Sequence, residues 1–303
     1  MYYIYEVTNV EKSKVFLIRN ITPDNVVKIY KQLNIELKGK IALKLHSGEV
    51  GNQNFLHPDF YNDIVNYLDA TVVECNTAYG GSRNTTSLHK QTLIKHGWSE
   101  LYDVDLLDEN DDDMVLNVKN GKIIQKNYVG NHLKNYDSLL VVSHFKGHPM
   151  GGYGGALKQL SIGIASSRGK AYIHSAGRTL DQNDFWSYLP PQNVFLCAMA
   201  DAASSVCDYF NNKMAFINVM KNMSVDCDCC AIAEDPCMKD IGILASLNPL
   251  ALDKACIDLV FNSNDPGKDK LIERINSRNG LLTLKAFKEI TNYSDEYELI
   301  ELD

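Results

Sequence analysis

Short apolar runs alternate with amphipathic stretches along most of the chain, the pattern of strands alternating with helices. Runs at 40–45, 71–73, 139–142, 171–174, 215–219 and 240–245 are rich in Ile, Val, Leu and Ala and read as core strands. Between them the spacing predicts helices over 22–35, from Pro58 through Leu68, over 83–96, over 193–212 and from Pro249 through Val260. Pro58 and Pro249 suit a first helical turn, and Gly97 suits a helix stop. A further helix is expected after Gly155. Residues 2–7 and 14–19 read as paired strands, and Asn120-Gly121 as a tight hairpin turn between 115–118 and 122–124. Such alternation predicts an α/β fold, two-lobed, with largely parallel sheets covered by helices. The lobes are expected to meet at about 130–140 within one region spanning 1–303, and 262–303 reads as a helical tail whose residues 297–302 add an edge strand.

Composition narrows the partners. With 45% hydrophobic and 22% charged residues the chain has the balance of an ordinary globular protein. A net charge of -8 argues against nucleic acid and anionic membrane, which need a basic face. A small anionic molecule in a local basic pocket stays compatible with it. The N-terminus lacks a basic region and an apolar core, so no signal peptide is expected. No apolar run approaches a membrane span. The expected location is cytoplasmic, where the eight cysteines are thiols or metal ligands and not disulfides.

The densest chemistry follows the strand at 139–142. His144-Phe-Lys146-Gly147-His148 leads into Gly151, Gly152, Gly154, Gly155 and Lys158, where strand gives way to helix. Ligands of open α/β sheets gather at such places. Glycines there let backbone N–H groups close on an anion. The spacing matches neither a P-loop nor a dinucleotide fingerprint, so the competing reading is a tight turn. His144 and His148 suit proton transfer near neutral pH, and Lys158 suits an anion clamp or a desolvated base. Other strand ends add Lys44, His46 and Glu49, then Asn76, Tyr79 and Arg83, and finally His174. In a parallel sheet these share one edge. The second cluster is Cys227-Asp-Cys229-Cys230, with Cys237 beyond it. Two thiolates and a third ligand can hold zinc or iron, against a bland reading as buried inert thiols. The acidic run at 108–113 places Asp113 and Lys119 where a calcium loop needs glycine and glutamate, so it reads as a solvated turn.

Taken together, the segments resemble the bacterial and archaeal domain-of-unknown-function family 362, whose members are often described as iron–sulfur-centre proteins. The resemblance lies in Lys44 to Asn52, Asn76 to Asn84, Ser143 to Lys158, Ser166 to Lys170, Cys227-Asp-Cys229, and Asp240 to Ser246 with Pro249 and Asp253. It implies a role for the cysteines in a metal or iron–sulfur centre. Relatives often carry histidine at the position of Cys230, which implies a ligand there too. Many carry an inserted ferredoxin module after the position of His174, whereas 175–196 here contains no cysteine. Asn248 stands where aspartate is usual. A weaker similarity links Gly152 to Lys158 with the lactate racemase family, in which a comparable lysine holds a nickel-pincer nucleotide; it implies a shared two-lobed architecture.

The sequence thus predicts a metal-binding protein acting on a small anionic molecule. Cys227, Cys229 and Cys230 are the candidate ligands of zinc, iron or an iron–sulfur cluster. His144, His148, Lys158 and His174 are the candidate catalytic groups. Lys44, His46, Arg83, Lys146, Gly152, Gly154 and Gly155 are the candidates for holding substrate or cofactor. The alternative is an iron–sulfur electron-transfer or binding module without catalysis. A third reading, a scaffold with a structural loop, predicts neither metal nor anion.

Overall fold

A computed structural model describes residues 12–303. The first half contains β1 (Ser13–Ile18), α1 (Pro23–Gln32), β2 (Ile41–Lys44), α2 (Asn62–Leu68), β3 (Thr71–Glu74), α3 (Thr86–Lys95), α4 (Trp98–Leu101) and β4 (Asp105–Leu106). A hairpin, β5 (Asp113–Asn117) with β6 (Lys126–Gly130), precedes the central strand β7 (Ser138–His144). A second small hairpin, β8 (Lys146–His148) with β9 (Gly152–Gly154), leads through α5 (Ala156–Lys158) to α6 (Ser167–His174) and α7 (Gln192–Phe210). The remainder is β10 (Met214–Met220), β11 (Gly242–Ser246), α8 (Pro249–Phe261), α9 (Lys268–Ser277), α10 (Leu281–Ile290) and β12 (Tyr297–Leu302).

Among the described residues, eight strands form one sheet in the order β12-β1-β11-β10-β7-β2-β3-β4. Only β11 pairs antiparallel to its neighbours, so the fold is α/β with a mostly parallel sheet. The expected edge strand is present, β12 lying parallel to β1. The partner strand expected at 2–7 lies outside the described residues.

Both faces of the sheet are covered, which explains why the strands read as unbroken apolar runs. Along β7, Leu139 and Val141 enter one core while Leu140 and Val142 enter the other. Along β10, Met214 and Phe216 take the first face, Ala215 and Ile217 the second. This is the two-residue period of a strand, read out by two separate cores. Among the described residues no helix is long and apolar enough to cross a membrane.

Three local expectations need correction. Residues 171–174 are not a strand but the last turn of α6, whose first turn is capped by Ser166 Oγ accepting from Gly169 N at 3.0 Å. A four-residue apolar run has no period of its own, and the cap decides its state. Asn120-Gly121 is not a two-residue hairpin turn, because β5 pairs with β6 from Asn117↔Lys126 outward. The Asp201 carboxylate accepts the backbone N–H groups of Lys122, Ile123 and Ile124 at 3.1, 2.7 and 2.9 Å, which removes the donors a tight hairpin would use. Nor is Asp108 solvated. It is buried and accepts from the backbone of Asn76 at 2.9 Å and Ser167 at 2.8 Å, joining the loop after β3 to the start of α6.

Candidate functional site

Strands β7, β2 and β3 are adjacent and parallel, and β10 flanks β7 on the other side. Their C-terminal ends therefore share one edge of the sheet, and the loops that leave it enclose a cavity of about 550 Å³. His46, Tyr79, Arg83, His148, Lys158, His174, Cys229 and Cys230 all line it. The single-edge expectation from the sequence is met: His46 and His148, from different strand ends, face the same space.

The floor is a buried ion cluster. Lys44 Nζ donates to Glu74 Oε2 at 2.6 Å and to Gln159 Oε1 at 3.3 Å, and also to the Leu45 carbonyl. Arg83 Nε donates to Glu49 Oε2 at 3.1 Å, with its Nη1 3.5 Å from Glu74 Oε1. Ser47 N adds a 2.9 Å bond to Glu74 Oε1. Burial pushes the Glu74 carboxyl upward, but Lys44 and then the other cations outweigh it and hold the group well below the usual carboxylate range. Lys44 and Arg83 are thus already neutralised from within the protein. They shape the floor more than they attract a ligand.

The cysteine turn is held from both sides. Asn52 Nδ2 donates to the carbonyls of Cys227 at 3.2 Å and Cys230 at 2.8 Å, and Glu49 N donates to the Asp228 carbonyl at 2.8 Å. The Asp228 side chain points the other way, accepting from His144 Nδ1 at 2.9 Å and Lys146 Nζ at 2.5 Å. Burial opposes this carboxylate, but those two neighbours draw it well below its ordinary range. His144 Nε2 faces the Lys221 carbonyl at 2.5 Å, so both ring nitrogens meet acceptors within the protein. His144 and Lys146 therefore anchor the turn from beneath and do not line the cavity. Gly147 permits this arrangement, since a Cβ there would sit 2.4 Å from the Val225 carbonyl oxygen.

The anchored turn brings three ligand-type atoms together. The donor atoms of His148, Cys227 and Cys229 all lie within 4.8 Å of one another. Lys158 Nζ is 3.5 Å from Cys227 Sγ, and His148 Nε2 is 3.8 Å from Cys229 Sγ. Burial disfavours a Cys227 thiolate, yet the Cys229 contact and the ammonium groups of Lys158 and Lys146 favour it, so Cys227 ionises before Cys229. His148 Nδ1 accepts from the backbone of Met150 at 3.1 Å and Gly151 at 2.8 Å. The neutral ring then carries its hydrogen on Nε2, aimed at sulfur. Cys237 is elsewhere, its Sγ 3.2 Å from the Met223 carbonyl.

His174 has the opposite tautomer. Its Nδ1 donates to the Lys170 carbonyl at 2.7 Å and its ring stacks on Phe195 at 5.0 Å, which leaves an Nε2 lone pair available to the cavity. Burial holds this histidine down at about 4, neutral at physiological pH. Lys170, which also lines the cavity, has its Nζ 2.5 Å from the Ala165 carbonyl, and burial lowers its proton affinity.

The glycine-rich loop departs from the expected anion cradle. Gly152, Gly154 and Gly155 do not line the cavity. Gly152 and Gly154 close the β8–β9 hairpin, and the helix end after Gly155 already holds an anion. The Asp253 carboxylate accepts from Ala156 N at 2.8 Å and Leu157 N at 3.0 Å. A Cβ at Gly155 would lie 2.5 Å from Asp253 Oδ1, so glycine is needed here for an internal ion. The site residues missed in the sequence are Glu74, Asn52, Asp228 and Lys170. Glu74 ends a strand and Asp228 sits between two candidate ligands, so position carried a signal for both; Asn52 and Lys170 were marked only as the ends of two segments that carry the family resemblance.

Fold and site together define an α/β protein with a thiol- and imidazole-lined cavity at the C-terminal edge of a mostly parallel sheet. The chain belongs to the family described as Domain of unknown function (DUF362), whose model matches residues 41–258. No curated protein matches it. Among solved structures, the lactate racemase apoprotein from Thermoanaerobacterium thermosaccharolyticum is similar at 13% identity and a TM-score of 0.38, covering 67% of this chain and 50% of the racemase. A structural-genomics protein from Thermotoga maritima is similar at 9% identity and a TM-score of 0.38, covering 65% of this chain and 49% of its own. The chain thus spans about half the length of either neighbour.

Proposed function

We propose that the protein binds one metal ion of zinc or iron type at the cysteine turn and uses the adjoining cavity to act on a small anionic molecule. The observation that carries this reading is the convergence of His148, Cys227 and Cys229 donor atoms within 4.8 Å. Two sulfurs and an imidazole with space on one side suit a three-ligand site that keeps a position open for substrate. Cys230, on the cavity wall, is the remaining sulfur within the same turn. With Nδ1 accepting from the Met150 and Gly151 N–H groups, His148 Nε2 is an N–H donor to sulfur; it completes the set as a ligand when its hydrogen moves to Nδ1 and those two backbone groups let go. The donor set favours a single ion over a four-cysteine cluster, because Cys237 is turned away.

A bound ion of this type supplies Lewis acidity toward a substrate oxygen. Lys158 balances the charge of the thiolates and faces the substrate space. His174, neutral and with Nε2 available, is suited to accept a proton there.

One observation favours a metal-free reading: Lys158 forms an ion pair with Cys227, the arrangement of a reactive thiolate. Elemental analysis of anaerobically purified protein separates the two. We expect close to one zinc or iron per chain, lost in Cys229→Ser and retained in Cys237→Ser. Metal-free protein whose Cys227 is alkylated ahead of all other thiols would establish the thiolate instead. A brown protein with several irons and sulfide per chain would establish a cluster.

A further inference from the structure

Two cations on the cavity wall have no carboxylate partner. Among the described residues, neither Lys158 nor Lys170 forms a salt bridge, whereas Lys44 and Arg83 are paired with Glu74 and Glu49. Opposite in character is a continuous apolar wall. Ile162, Phe195 and Met199 belong to one hydrophobic cluster with Met150 packed against it, and all four border the cavity. Trp186 borders it too and remains 49% exposed. A small polar anion such as acetate would satisfy the lysines and leave this wall in contact with water. His174 sits where the two regions meet, its ring against Phe195 and its Nε2 toward the cavity.

We propose that the cavity selects an amphipathic monocarboxylate, its head held by Lys158 and Lys170 and its apolar tail laid along the Phe195–Met199 wall. This deepens the anion reading of the cavity and does not depend on the identity of the metal. The carboxylate supplies a counter-charge to the buried Lys170 and adds an oxygen acceptor beside Lys158, whose anionic contact is the Cys227 sulfur. The tail removes from water the apolar surface that Met150, Ile162 and the start of α7 present to the cavity.

The test is a calorimetric titration of the purified protein, metal content as isolated, with acetate, butyrate, hexanoate and octanoate. Trp186 fluorescence serves as a second readout, since the only other tryptophan, Trp98, is buried in the opposite core. Burial of each methylene is worth about 0.8 kcal/mol, so affinity should rise about fourfold per CH₂ between butyrate and hexanoate. Hexan-1-ol, which keeps the tail and lacks the charge, should bind at least tenfold more weakly than hexanoate. Lys170→Met should lose at least tenfold toward hexanoate while keeping the wild-type circular dichroism. If that variant misfolds, the chain-length series on the wild-type protein still decides. Equal affinity for acetate and hexanoate would overturn the amphipathic ligand and leave the anion site standing. Absence of binding at every length would overturn both.

Discussion

His89 and His174 are both buried, and each has its Nδ1 committed, His89 to Asn76 Oδ1 at 3.1 Å and His174 to the Lys170 carbonyl at 2.7 Å. Burial holds His89 at about 3 and His174 at about 4, against an unfolded value near 6.5. Between those values the unfolded chain takes up protons that the folded rings refuse, so their stabilising effect is present above pH 6.5 and is lost as pH falls. Each should cost on the order of 2 kcal/mol of stability between pH 7 and pH 5. Urea midpoints measured across that range should fall on the acid side, and His89→Gln should make the loss of stability smaller by on the order of 2 kcal/mol. An unchanged slope in that variant would contradict a neutral buried His89. At this scale the sequence displayed the right residue types and not their partners. His148, Lys158 and Cys229 reach the cavity as their positions suggested, but His144 and Lys146 were equally attractive and are spent on Asp228. Which of two neighbouring cations meets a carboxylate depends on a residue more than 80 positions away.

Elements were more legible than contacts. Strands β2, β3, β7 and β10 were readable because both faces of each are buried, and long helices because their ends carry proline or glycine signals. Asn248 shows how one cap settles a helix start: its Oδ1 accepts from Leu250 N at 2.9 Å and Ala251 N at 3.1 Å, and Pro249 follows at the first helical position. Asparagine serves this purpose as well as aspartate. Asn248→Ala should therefore cost at least about 1 kcal/mol in chemical denaturation, while Asn248→Asp should keep the cap but lose the Nδ2 bonds to Ser13 Oγ at 2.8 Å and the Ser294 carbonyl at 2.7 Å and fall between the two; a neutral alanine variant would show that the cap bonds contribute nothing. The short elements failed to declare themselves for the same reason in reverse. Residues 171–174 and the segment around Asn120-Gly121 are too brief to have a period, and Ser166 and Asp201 fix them from outside.

Across the whole molecule the cysteine turn is fastened to the first half of the chain: Asn52 holds the carbonyl of Cys227 across 175 positions of sequence. Joining segments so far apart carries a large chain-closure entropy, and contacts of this kind are slow to form. The thiol cage therefore cannot exist until β2 and β10 have both joined the sheet, whereas Cys207 lies within the single helix α7. Pulsed alkylation during refolding should find Cys227, fully buried in the folded protein, open to reagent after Cys207 has closed; simultaneous protection would mean that the turn forms locally. Time, in that sense, is written into the site. Any ligand that requires the finished cage becomes a marker of the moment when the two halves of the chain have met.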